Sequence, residues 1–74
     1  MSALYEGLAE IFEVDVGEID SAFSLPDHNW DSLAIVSTIA LVDEVEDLML
    51  NGAALAKCLT VADIEALIAA ARNG

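Results

Sequence analysis

Positive charge is the scarcest property of this chain: Lys57 and Arg72 are the only basic side chains against 14 acidic ones, a formal net charge of −12. A surface so one-sided repels nucleic acid and anionic membranes, so neither is an expected partner. It attracts basic patches on other proteins and speeds encounters with them, although most of the carboxylates individually do no more than keep the domain soluble. Proline occurs once and glycine four times, while 57% of the residues are hydrophobic, a balance that disfavours disorder. Aromatics are few, and the abundance of Leu, Ala, Ile and Val favours packed helices over a sheet. The single cysteine, Cys58, excludes an internal disulfide and suits a reducing compartment. Its apolar surroundings, Leu55, Ala56 and Leu59, mark it as a buried structural thiol. No apolar run reaches the roughly 20 residues of a membrane span, and Glu6 and Glu10 stand where a signal peptide would be basic. A cytoplasmic monomer with no membrane insertion is expected.

Residues 1–74 read as a single all-α domain. Leu4, Leu8, Ile11 and Phe12 recur at helical spacing after Ser2, a cap residue, and predict a first helix over about 3–13. The stretch from Val14 to Trp30 holds Gly17, Pro26 and several turn formers, so it cannot be one helix. A connection that long needs its own anchors, for which Val16, Ile19, Phe23 and Leu25 are available. A periodic run then predicts a second helix over about 32–46, capped by Asp31 or Ser32. Asn51-Gly52 breaks the chain before a short third helix ending near Cys58. Thr60 with Asp63 three residues on is a variant capping box for the last helix, with Val61, Ile64, Leu67, Ile68 and Ala71 as its buried stripe and Asn73-Gly74 as its end. The expected architecture is a four-helix bundle with a short third helix and a long loop between the first and second.

In the second helix, Leu33, Ile35, Val36, Ile39, Ala40 and Val42 cover one half of the circumference and are expected to face the core. Ala34, Thr38, Leu41 and Val45 form a stripe on the opposite half, expected to be exposed.

The sharpest chemical signal is Asp31-Ser32-Leu33, which sets a hydroxyl at a helix N-terminus beside a long loop. Free amides and the positive end of the helix dipole favour an anion there, so a phosphodiester on Ser32 would be stabilised where it forms. Asp and Ser also start many helices simply as caps. A hydrolase built on Ser32 with His28 and Asp27 or Asp31 lacks a Gly-x-Ser-x-Gly elbow and an evident oxyanion hole, so no enzyme is expected. His28 and Trp30 read as loop residues, Trp30 as a cover for the core. Asp15, Glu18 and Asp20 do not have EF-hand spacing, and no metal site is expected. A non-enzymatic acidic interaction domain would share the charge and the helices.

Over nearly its whole length the chain resembles the acyl carrier protein family. Trp30-Asp31-Ser32-Leu33-Ala34 matches the family's attachment motif at the start of the second helix. Leu50-Asn51-Gly52, Leu55-Ala56-Lys57-Cys58 and Thr60-Val61-Ala62-Asp63-Ile64 match its third helix and the opening of its fourth, and the interval from Ser32 to Thr60 agrees with the family spacing. The resemblance implies a phosphopantetheine arm, taken from coenzyme A with magnesium by a phosphopantetheinyl transferase and attached to Ser32, with Asp31 and Leu33 presenting the site. The arm would carry an acyl group as a thioester for acyl-loading and acyl-transfer enzymes with basic or apolar docking patches. Residues corresponding to the acyl pocket would be Ile35, Val36, Ile39, Leu50, Leu55 and Ile64. Partners would meet Ala34, Ser37, Thr38, Leu41 and Val45, with Glu44 giving orientation. Two departures point to a specialised carrier: Ala34 and Ser37 stand where members acting in fatty acid synthesis are commonly acidic, and Glu46 replaces a common aromatic. Aminoacyl and peptidyl carriers share the same architecture.

Overall fold

The computed structural model describes residues 3–73 and contains four helices: α1 (Ala3–Phe12), α2 (Ser32–Glu46), α3 (Gly52–Ala56) and α4 (Val61–Asn73). Among the described residues there is no strand, only one isolated antiparallel pairing between Ser24 and Thr60. The expected caps at Ser2 and Gly74 lie outside the described residues. Among those described, no helix is long and apolar enough to cross a membrane.

α1 ends where Glu13 takes a left-handed conformation (φ 58°), which lets the Val14 N–H donate back to the Ala9 carbonyl at 3.0 Å. The chain then runs over 13–31 through two single turns of 3-10 helix, Val16–Glu18 and Pro26–His28, the second opened by the only proline. Ile19, Phe23 and Leu25 bury their side chains and Val16 is half-buried, as anchors for a segment without regular hydrogen bonding of its own. Its backbone groups find partners near the α3–α4 connection: Leu25 N–H donates to Leu59 O at 2.9 Å, Val61 N–H to Phe23 O at 3.2 Å and Ala62 N–H to Ser21 O at 3.0 Å.

Side chains cap the starts of α3 and α4, the first at the expected chain break. Asn51 starts α3 by accepting from the amides of Ala53 (2.7 Å) and Ala54 (3.2 Å). At α4 the Asp63 carboxylate accepts from Thr60 N–H at 3.3 Å and from Leu59 N–H at 2.9 Å, so the box reaches one residue further back than the motif requires. The inward stripe of α4 is Val61, Ile64 and Ile68, with Leu67 half-buried. Ala71, expected in that stripe, is exposed, because the last turn has run past the core. Its contact there is an ion pair between Arg72 and Glu46, the residue that replaces the expected aromatic.

Leu8, Leu25, Leu55 and Ile64 have no exposed surface, and burial of each stabilises the fold by about 1.5–3 kcal/mol. Val42 and Val61 complete the fully buried apolar set. Cys58 is buried as expected, and burial, with a smaller contribution from the Asp63 charge, pushes its thiol pKa above the ordinary value.

α2 is rotated relative to the expected phase. Its buried residues are Ala34, Thr38 and Val42, while Leu33 and Val36 are 72% and 60% exposed and Ala40 is exposed as well. Leu41 and Val45 are half-buried on the inward side, with Leu41 packed against the core. The stripe assigned to partners is therefore an interior one, and of the half assigned to the core Leu33, Val36 and Ala40 face outward, while Val42 is buried and Ile35 and Ile39 are half-buried against the core. α2 is apolar on nearly every side of its first three turns, so periodicity alone fixes no phase. What decides it is size and polar satisfaction: Thr38 goes inside because its hydroxyl donates to the Ala34 carbonyl at 2.9 Å, and no buried side-chain N or O atom is left unpaired among the described residues.

Candidate functional site

The N-terminus of α2 is built by three successive devices. Asn29 takes a left-handed conformation (φ 62°) that turns the chain out of the Pro26–His28 turn, and the Asp31 N–H donates to its carbonyl at 2.8 Å. Asp31 is extended and its carboxylate accepts from the Ala34 amide at 2.9 Å, while its carbonyl accepts the first helical bond from Ile35. Ser32 is then the first helical residue, exposed, with its own amide and that of Leu33 beyond the reach of any intrahelical acceptor. The first turn of α2 carries no acidic side chain, so the dipole's positive end is offset only by Asp31.

Trp30 holds this turn to α3. Its indole N–H donates to the Leu55 carbonyl at 2.9 Å, and its ring lies 5.9 Å from that of Phe12. His28 stacks on Phe23 with ring centroids 4.2 Å apart, and its Nδ1 lies 2.8 Å from the Ser24 carbonyl. A carbonyl can only accept, so Nδ1 carries the proton.

Between the end of α1, this loop and the first turns of α2 lies a cleft of about 230 Å³. Its apolar wall includes Ile11, Phe12 and Leu33, and its polar wall includes His28, Asn29 and Ser37. A more open groove of about 420 Å³ continues along α1 and α2 past Ala40 and Leu41, and shares Ile11 and Ser37 with the cleft. The sequence reading missed this place. Ile11 and Phe12 enter the sequence pattern only through the helical spacing of α1, and Asn29 has no role in it; the cluster of turn formers at 26–29 is the available signal.

The expected site residues separate into three groups. Asp31, Ser32 and Leu33 stand together and exposed at the helix start. Of the residues corresponding to an acyl pocket, Leu50, Leu55 and Ile64 are buried in the core, and Ile35 and Ile39 are half-buried against it, near Gly52 of α3. Val36 is the correction: it points to solvent and cannot line an interior pocket. Among the residues expected to meet partners, Ala34 and Thr38 are buried and Leu41 and Val45 half-buried for the reason of phase given above, Ser37 lines the cleft, and Glu44 is exposed.

Asp15, Glu18 and Asp20 serve the loop itself. The Glu18 carboxylate accepts from the Asp15 amide at 3.3 Å and that of Asp20 from the Ala22 amide at 3.0 Å. Among the described residues, no three His, Cys, Asp or Glu side chains are grouped so as to hold a metal ion. No family model, curated protein or solved structure matches the chain.

Proposed function

We propose that the chain is a carrier protein whose Ser32 bears a phosphopantetheine arm and that the arm holds an acyl group as a thioester. The observation that carries this reading is the exposed Ser32 hydroxyl at the first position of α2, behind the Asp31 cap and beside free amides, in a helix turn without acidic residues. The group fits the residues present: a phosphodiester on the Ser32 Oγ would lie where the helix dipole and the Ser32 and Leu33 amides favour an anion. The arm, when attached, supplies a thiol that forms and exchanges thioesters. The resemblance of the Trp30–Ala34 segment to the acyl carrier attachment motif supports the same reading. So does the segment 13–31, taken as the long first loop of a carrier-type bundle.

With α2 in its observed phase, the partner surface belongs on Leu33, Val36 and Ala40, at i, i+3 and i+7, with Asp43 and Glu44 exposed below them. Apolar contact beside Ser32 would give affinity and the carboxylates would steer basic patches of transferase and acyl-handling enzymes. On this reading the protein performs no chemistry of its own and acts in the cytoplasm, within fatty acid or polyketide biosynthesis.

Incubation of the apo protein with coenzyme A, magnesium and a broad-specificity phosphopantetheinyl transferase should add the mass of one phosphopantetheine, and Ser32→Ala should add none. An unchanged wild-type mass would overturn the reading and favour an acidic interaction domain. The cargo is read by mass spectrometry of protein purified from its native host, where an aminoacyl group in place of an acyl group would identify an aminoacyl carrier.

A further inference from the structure

We propose that the cleft between the end of α1 and the start of α2 is the resting seat of the arm, an inference that rests on the carrier reading of Ser32. Three observations converge on it. Asp31 and Leu33, the residues on either side of Ser32, both line the cleft, so a group tethered to Ser32 starts at its rim. The cleft exists without rearrangement, whereas the core beyond Ile35 and Ile39 is closed by Leu55 and Ile64, which have no exposed surface.

The third observation is chemical. Phosphopantetheine carries a branched dimethyl segment followed by two amides, so a complementary surface needs apolar area and hydrogen-bonding groups in similar measure. Phe12 and Leu33 offer the first. Asn29, His28 and Ser37 offer the second: the Ser37 hydroxyl makes no hydrogen bond among the described residues, and the His28 Nε2 stays available because Nδ1 is committed to Ser24. The arm thus lies on the α1 side of α2, away from the Ile35 and Ile39 side that packs toward α3.

Isotope-labelled protein, converted to the modified form with coenzyme A and checked by intact mass, separates the two readings. Full mass gain with amide shift changes at Ile11, Phe12, His28, Asn29 and Ser37 supports the seat. Full mass gain with changes confined to 30–34, or falling instead on Ile35, Ile39 and Leu55, overturns it while leaving the carrier reading intact. Absence of any mass gain removes both. In Ser37→Arg protein whose intact mass shows full modification, the larger side chain should fill the cleft and the apo-to-modified shift changes at His28 and Asn29 should be lost. Persistence of those changes in a fully modified Ser37→Arg protein would also overturn the seat.

Discussion

The Leu41 side chain lies against the backbone of Gly7, in the space that a β-carbon at residue 7 would need. This contact brings α1 and α2 together, and α1 packs more extensively on α2 than on any other element. Glycine inside a helix ordinarily costs about 1 kcal/mol against alanine, so its place here is explained by close approach and not by propensity.

Gly7→Ala is therefore expected to destabilise by about 1–2 kcal/mol through overlap with Leu41, despite its better helix propensity. In a Leu41→Ala background the same change should stabilise by up to about 1 kcal/mol. A urea-denaturation double-mutant cycle measures the coupling, and additive effects would show that the two residues do not meet. Leu41→Glu should lower stability by about 2–4 kcal/mol, since a charge would replace a packed side chain.

Two residues one half-turn apart test the phase of α2 directly. Val36→Glu should change stability by no more than about 0.5 kcal/mol, as expected of a surface position, and should weaken capture by an acyl-handling partner. Thr38→Glu should unfold the domain or lower its melting temperature steeply, because Thr38 has no exposed surface. The reverse pattern in thermal melts would restore the phase expected from hydrophobicity.

The Tyr5 hydroxyl donates to the Glu65 carboxylate at 3.3 Å, and burial together with the Glu65 charge raises its pKa above 10.0. The unfolded chain releases this proton at lower pH than the folded one. The contribution is complete below the ordinary tyrosine value and is lost as pH rises through the folded value. Urea midpoints taken from neutral to strongly alkaline pH should fall for the wild type and fall less for Tyr5→Phe.

Asp47 ends α2 in a left-handed conformation (φ 55°), a geometry that costs a non-glycine residue about 1–2 kcal/mol. It also adds a carboxylate to Asp43, Glu44 and Glu46 at the negative end of the helix, which carries no basic residue in its last turn. Asp47→Gly should stabilise by about 1 kcal/mol through relief of both. Salt should raise the melting temperature of the wild type more than that of the variant, since screening acts on the charge that the variant lacks.

The elements and their caps were legible because local rules govern them. Asp31 and Asp63 each accept the amides that their positions predict, Asn51 falls where a break was expected and caps α3 as well, and Pro26 and Gly17 mark a segment that forms no long helix. Ile19, Phe23 and Leu25 were recognisable as anchors because they are the large apolar residues of a stretch rich in turn formers. The rotation of α2 was not legible. Leu33 and Val36 outweigh Ala34 and Thr38 in hydrophobicity, and only the tertiary setting reveals that the inward side takes small residues and an internally satisfied hydroxyl. The cleft beside Ser32 was hidden for a related reason: Phe12, Asn29 and Ser37 come from three separate stretches, and no pattern within any one of them signals the others.

The bond from Trp30 to the Leu55 carbonyl ties the turn that presents Ser32 to a residue 25 positions later, and the amides of Leu25, Val61 and Ala62 tie the preceding loop to the chain as far as α4. A chain made from its N-terminus can extend α1 and even α2 early, since the hydrogen bonds within each helix are local. It cannot fix the Ser32 turn until Leu55 has been synthesised, nor complete the loop before the start of α4 is present. Presentation of the hydroxyl is thereby a late event of biogenesis, and a chain interrupted before α3 leaves the loop and its serine without their supports.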